Sequence, residues 1–245
     1  MCLKKLVRAL IAIIVVALCA GLGYAALRVR EIHVVGTINR DPQEVRDLSL
    51  IQTGESIFTL NKKTVEENIN KSPYFIVESI KVTGLNAVTI TIKERVPIGV
   101  VGFGSYDLII DEQGTVLQST NHGMMDVGSL LKVDGVYVVS FGLGQQLSSS
   151  KPEQLDTLKA LLEGIKEYGF EENVKGVNVA SQTDVRLTTA EGINVKLGTT
   201  VQLERKLKWI EAAMPELRSR YSSDQLNGSS LDVTTADSAI FALKE

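Results

Sequence analysis

Between Arg8 and Arg28 the chain runs for nineteen residues without a charge, ALIAIIVVALCAGLGYAAL, and no other feature limits its fold so strongly. At a helical rise of about 1.5 Å per residue, roughly 20 residues cross the hydrocarbon layer of a bilayer, so Ala9–Leu27 is expected to be a transmembrane helix. A cleavable secretory signal is the rival reading, with Gly23-Tyr24-Ala25 as its cleavage site. The apolar core of such a signal spans about 7–15 residues. This run is longer and has no polar break, so a retained anchor is the reading taken. Lys4, Lys5 and Arg8 precede the run, whereas Arg28 and Arg30 follow it beside Glu31. Positive charge favours the cytoplasmic side, which predicts a tail of residues 1–8 inside and everything after Leu27 outside. The chain is therefore expected to be a single-pass type II protein of the plasma membrane.

Charge and cysteine usage narrow the function classes. The 245 residues carry a net charge of −3, but residues 28–245 alone hold 23 basic and 29 acidic side chains. That acidic balance and a pI near 5.6 argue against nucleic-acid binding. Cys2 and Cys19 are the only cysteines, so the exported part cannot be a disulfide-stapled domain. With 44% hydrophobic residues, a mainly disordered chain is excluded. Within the span, Ala17, Gly21 and Ala25 recur every four residues, a stripe along which a second membrane helix could pack. Leu18, rather than a small residue, precedes Cys19, which is read as an apolar filler and not a lipidation site.

Residues 28–98 read as strand, helix, helix, strand, strand. Val29–Gly36 is strand-like, with Ile32 and Val34 on one face and His33 on the other. Asp41-Pro42-x-Glu44 predicts a helix start with a capping box, Val45, Leu48 and Ile51 its buried stripe and Gly54 its stop. A short helix follows Asn61, with Val65 and Ile69 one turn apart, and ends before Pro73. Glu78–Gly84 and Ala87–Glu94 alternate apolar and polar residues around a Gly84-Leu85-Asn86 turn, the pattern of a hairpin.

Residues 99–245 read as mostly β with two helices. Leu108–Leu117 is expected to form two strands joined by a turn, and Tyr137–Val139 another strand. Ser150, with Glu153 as capping-box partner, predicts a helix bearing Leu155, Leu158, Leu162, Ile165 and Tyr168 and ending at Gly169. Strands follow near Val177, Val185 and Ile193. The second helix starts near Thr200, carries Leu203, Leu207, Ile210 and Met214, and is expected to stop before Pro215. Ser219–Ser230 reads as a polar linker, and Leu231–Thr234 and Ala239–Leu243 as closing strands. The fold class is α+β.

The chemistry-bearing residues do not converge in sequence. His33 reads as an exposed strand residue, and His122 stands in the loop Asn121–Gly128 with no second ligand at metal-site spacing. Ser148-x-x-Lys151 matches one element of penicillin-binding enzymes, but their Ser-Asp-Asn and Lys-Thr-Gly elements are missing. Gly142-x-Gly144 lacks the third glycine of a dinucleotide site. No catalytic set, metal or cofactor is therefore expected. Binding remains. The last strand, Ala239–Leu243, reads as a sheet edge able to accept a further strand or as an ordinary packed strand. Arg205, Lys206 and Lys208 read as a basic face for an acidic partner or as solvated charge.

Val29-x-x-Ile32-x-Val34-x-Gly36, Gly54-x-x-Ile57-Phe58, Pro73-Tyr74-x-x-Val77-x-x-Ile80-x-Val82 and Ile92-x-Glu94-Arg95-x-Pro97 together resemble a POTRA domain of the FtsQ/DivIB type. Leu197-Gly198, the Lys206-Leu207 step, Pro215 and Leu231-Asp232 extend the resemblance more loosely into the β domain. It implies a division into residues 1–8 (tail), 9–27 (transmembrane helix), 28–98 (POTRA domain, β-α-α-β-β) and 99–245 (a mostly antiparallel β domain with two or more helices). It further implies a non-enzymatic scaffold at the division septum. Its partners would be FtsB/DivIC-like and FtsL-like coiled-coil membrane proteins, docked through the final strands and the preceding helix. Carried onto this sequence, the partner-binding residues are Arg205, Lys206, Asp232, Thr234, Thr235, Ile240 and Phe241. Thr234 stands where the family often has an arginine. The alternative is a POTRA-containing secretion or outer-membrane assembly factor, against which the retained anchor and the Glu94-Arg95-x-Pro97 element argue.

Overall fold

A computed structural model describes residues 11–17, 21, 27–128 and 130–244. Residues 11–17 and 21 are helical. The remainder of the expected span, Ala25 of the small-residue stripe included, lies outside the described residues. Among the described residues no helix is long and apolar enough to cross a membrane. The chain forms two compact units, Met1–Arg95 and Val96–Glu245.

The first unit is a three-stranded sheet with two helices. Its strands are β1 (Glu31–Val35), β2 (Phe75–Thr83) and β3 (Ala87–Glu94), in the order β1-β3-β2. The β2–β3 hairpin is antiparallel, while β1 runs parallel to β3. Helices α1 (Pro42–Ser49) and α2 (Lys62–Ile69) lie in the connection between β1 and β2. The alternation expected from the sequence supplies the core. Val88, Ile90 and Ile92 join Ile80, Phe75, Val45, Val65 and Ile69 in one buried cluster.

Two helix ends differ from the sequence reading. Asp41 caps α1 by accepting from the Gln43 N–H, but Glu44 closes no box, because its carboxylate pairs with Arg40 at 3.0 Å. The helix ends at Ser49, five residues before Gly54, with Leu50 in the left-handed conformation (φ 54°).

Sequence motifs of this unit have physical roles. Gly36 has φ 103°, and a Cβ there would stand 1.8 Å from the Ile92 carbonyl oxygen. Glu94, buried at the end of β3, accepts the N–H groups of Ile38, Asn39 and Arg40. Its carboxylate thereby satisfies three consecutive donors in the turn leading to α1. Arg40 stacks on the Tyr74 ring, 3.4 Å from its centroid.

The second unit is built on a nine-stranded mixed sheet. Its strands are β4 (Gly99–Phe103), β5 (Tyr106–Ile110), β6 (Val116–Asn121), β7 (Leu131–Asp134), β10 (Val174–Asn178), β11 (Val185–Thr189), β12 (Asn194–Gly198), β13 (Ser230–Asp232) and β14 (Ile240–Ala242). They stand in the order β14-β13-β12-β11-β10-β7-β4-β5-β6. A small hairpin, β8 (Val138–Ser140) with β9 (Ser148–Ser149), stands apart from that sheet. Five of the eight pairings in the large sheet are antiparallel. The parallel ones, β4–β7, β7–β10 and β12–β13, need crossovers. Helix α3 (Pro152–Glu167) fills the crossover from β7 to β10, and α4 (Leu203–Arg220) the one from β12 to β13. Both helices pack on Val101, Leu108, Val133, Val177, Leu187, Val195 and Leu231 of the sheet, in one core. Gly164 lets them approach: a Cβ there would meet the Leu203 side chain at 2.5 Å.

Three helix expectations in this unit are corrected. The N-cap of α3 is Lys151, not Ser150; it makes no side-chain cap, so Glu153 completes no box. Helix α4 continues through Pro215 to Arg220. Pro215 lies on the exposed side, where the carbonyl it leaves unbonded meets water, and the buried stripe runs on to Leu217. The expected linker contains a further helix, α5 (Ser223–Leu226), opened by a capping box between Ser222 and Gln225.

Candidate functional site

The closing strands form one end of the large sheet. Strand β14 bonds to β13 alone, with Ser230 opposite Ala242, Leu231 opposite Phe241 and Asp232 opposite Ile240. Alternation divides the two apolar residues of β14 between the faces of the sheet. Phe241 lies on the helix side with Leu231, its ring 5.2 Å from that of Tyr221 at the end of α4. Ile240 shares the opposite face with Asp232 and is 67% exposed. The resemblance implies that both Ile240 and Phe241 bind partners; in the free chain Phe241 packs partly buried against the core and Ile240 stands in solvent.

The turn before β14 is held from two sides. Asp232 Oδ1 accepts from the Thr234 backbone N–H at 2.9 Å and from the Thr234 hydroxyl at 2.7 Å. The Thr234 N–H holds the Asp232 carboxyl below its ordinary range, against partial burial, with the Thr234 hydroxyl and Lys196 assisting. Thr235 is exposed, its hydroxyl 3.4 Å from that of Ser238. Ala236 is buried in a left-handed conformation (φ 58°), and its carbonyl accepts from the Trp209 indole N–H at 3.0 Å. Arg205 pairs with Asp237 at 2.9 Å. Helix α4 thus grips the β13–β14 turn through Arg205 and Trp209. Sequence reading missed Trp209, Tyr221 and Asp237. Trp209 is the only tryptophan in the chain, and it stands four residues after Arg205 on the same helix face.

Lys206 requires a correction. It was expected on an exposed basic face, but its side chain is buried and its ammonium donates to the Leu197 and Thr199 carbonyls, each at 2.8 Å. Desolvation lowers its pKa. Position 206 falls three residues after Leu203 and four before Ile210, on the buried stripe of α4. The lysine joins α4 to the end of β12. Arg205 and Lys208 remain exposed, Lys208 paired with Glu204. Of the small-residue stripe, Ala17 and Gly21 lie in the described helical residues.

The remaining chemistry-bearing residues have local partners. His33 is exposed, 3.2 Å from Glu31. His122 joins Asp107 at 2.6 Å and the Gly104 carbonyl at 3.1 Å. The Lys151 ammonium lies over the Tyr137 ring at 5.0 Å, and Ser148 pairs with Ser140 in the small hairpin. Among the described residues no three or more His, Cys, Asp or Glu side chains form a group able to hold a metal.

Comparison with known proteins assigns both units. A "POTRA domain, FtsQ-type" profile matches residues 27–95. A profile described as "Cell division protein FtsQ/DivIB, C-terminal" matches residues 100–237, ending before β14. The cell division protein DivIB of Clostridium botulinum (strain Loch Maree / Type A3) is 27% identical over 196 residues, covering 79% of this chain and 74% of that protein. The cell division protein FtsQ of Corynebacterium glutamicum is 27% identical over 207 residues, 81% of this chain and 86% of its own length. The FtsQ of Geotalea daltonii is 26% identical over 204 residues, 83% and 72% respectively. Nothing in these matches favours a secretion or outer-membrane assembly factor.

Proposed function

The chain belongs to the FtsQ/DivIB family of cell division proteins, and from that premise we propose that it is a non-enzymatic scaffold of the bacterial division machinery. Residues 9–27 anchor it in the plasma membrane, with residues 1–8 in the cytoplasm and both folded units outside. The POTRA unit faces membrane-proximal division proteins. The second unit captures FtsB/DivIC-like and FtsL-like coiled-coil partners at the septum and positions them for wall synthesis.

The observation that carries this reading is the place of β14 at the end of the large sheet, with Ile240 exposed beside an edge of main-chain donors and acceptors. A partner segment adding as a tenth strand would gain backbone hydrogen bonds, with Ile240 as its apolar anchor. Asp232, Thr234, Thr235 and Arg205 border that edge, whereas Lys206 supports it from within. A photo-crosslinking residue in place of Ile240, in growing cells, should trap an FtsB/DivIC-like or FtsL-like protein. A chain lacking residues 239–245 should lose both partners while keeping its fold. Undiminished capture by the truncated chain would sink the interface.

A further inference from the structure

Two loops of the POTRA unit meet the chain where it leaves its apolar run. The Leu27 carbonyl accepts from the Ile57 N–H at 3.1 Å, and Val29 exchanges two hydrogen bonds with the 54–55 backbone at 2.7 and 2.8 Å. The Arg28 guanidinium donates to the Gly54 carbonyl at 2.9 Å, and Arg28 and Ser56 form an antiparallel bridge. On the other side, the Arg30 N–H donates to the Asn86 carbonyl in the β2–β3 turn at 2.7 Å. These bonds fix residues 50–60 and 83–87 against the first residues after the uncharged run.

The same end carries apolar side chains that the core does not use. Phe58 is 70% exposed, Leu50 69% and Leu85 70%. Leu50 occupies a left-handed position that glycine or asparagine would fill at lower cost, and it lines an open concavity with Arg28, Gln52 and Gly54. Around them stand four exposed cations, Arg28, Arg30, Lys62 and Lys63, against the carboxylates of Glu31 and Glu55. Lys63 reaches Glu67 only at 3.8 Å.

We infer that this end of the POTRA unit rests in the headgroup layer of the bilayer, with Phe58, Leu50 and Leu85 as its apolar contacts and the four cations facing anionic lipid. The inference builds on the anchor assigned to residues 9–27 in the proposed function. A span ending at Leu27 brings that residue to the hydrocarbon boundary. Phe58 follows the residue hydrogen-bonded to Leu27 by one Cα step of about 3.8 Å, well inside an interfacial layer about 5–7 Å deep on each side. Exposed aromatic and leucine side chains beside Arg and Lys are the composition that such a layer accepts. Chain continuity therefore selects lipid, rather than a protein partner, as the occupant.

The test uses the full chain with Trp209→Phe, which removes its only tryptophan, and Phe58→Trp as reporter. The protein is reconstituted into vesicles of phosphatidylcholine and phosphatidylglycerol, with or without bromine near the top of the acyl chains. The reporter should emit at shorter wavelength than in water, and brominated lipid should quench it at least about twofold. Leu85→Trp in the same background, a second reporter should Phe58→Trp misfold, should behave alike. Ile38→Trp, in the turn that follows β1 at the other end of the unit, should be unaffected. Flotation after an alkaline wash reads the anchor separately. Chains that float while both the 58 and 85 reporters stay unquenched would overturn the inference and leave the anchor standing, as would shielding that appears only when a partner protein is added. Chains that do not float would overturn the anchor itself, and this inference with it.

Discussion

Gly36 and Lys206 are two residues whose types look interchangeable in sequence and are not in the fold. At position 36 the constraint is double: a φ of 103° and a backbone oxygen where a Cβ would be. Strain at such a φ costs about 1–3 kcal/mol, and forced overpacking costs a similar amount. Gly36→Ala should therefore destabilise the POTRA unit by about 3 kcal/mol or more. Urea unfolding followed by amide exchange should place the loss in residues 31–94, with the amides of the second unit unchanged. Loss spread over both units, or a shift under about 1 kcal/mol, would contradict the steric account. Lys206 teaches the complementary lesson, because a charged residue on a buried stripe is tolerated where backbone carbonyls accept hydrogen bonds from its ammonium.

At the scale of elements, β14 is short and depends on what holds its turn. Three residue pairs join it to β13, and α4 contributes the Arg205–Asp237 ion pair and the Trp209–Ala236 hydrogen bond. An exposed ion pair is worth at most about 1 kcal/mol, yet a strand of this size has little else. Arg205→Asp should put two carboxylates side by side and raise amide exchange in residues 240–242 by about three- to tenfold. Adding Asp237→Arg should restore slow exchange. If Arg205 served only as a contact for an acidic partner, the reversal would leave exchange in the free protein unaltered. Alternation made the POTRA strands legible from Ile80, Val88, Ile90 and Ile92, because each strand has one buried face, although Val82 in the same pattern is exposed. For Ala239–Leu243 the sequence leaves an edge strand and an ordinary packed strand open, and the order of the sheet places β14 at one end. Helix α4 beyond Pro215 was not legible, since the buried stripe that resumes at Leu217 outweighs the hydrogen bond lost at an exposed proline. Helix α5 hid in a polar stretch because its one buried apolar residue, Leu226, makes no periodic pattern. Nor could the grip on the β13–β14 turn be read: Trp209 and Ala236 are 27 residues apart and meet only through the crossover.

For the molecule as a whole, each unit closes its own core, and in the proposed topology the N-terminal segment delivers both. Delivery is an electrostatic question before it is a structural one. Three cations precede the uncharged run and none interrupts it, while Arg28 and Arg30 on the far side are offset by Glu31. The bias is only about one or two charges, small enough to be reversed by substitution. With Lys4, Lys5 and Arg8 all changed to Glu, the positive flank becomes Arg28 and Arg30, and these should now prefer the cytoplasm. The same two arginines belong to the end of the POTRA unit inferred to meet lipid, so inversion would also carry that face to the inner leaflet. Protease added to intact spheroplasts should digest residues 28–245 of the parent chain, whereas a substantial fraction of the substituted chain should be protected until the cells are lysed. Equal accessibility of the two chains would mean that folding and translocation of the large C-terminal part, not flanking charge, set the orientation.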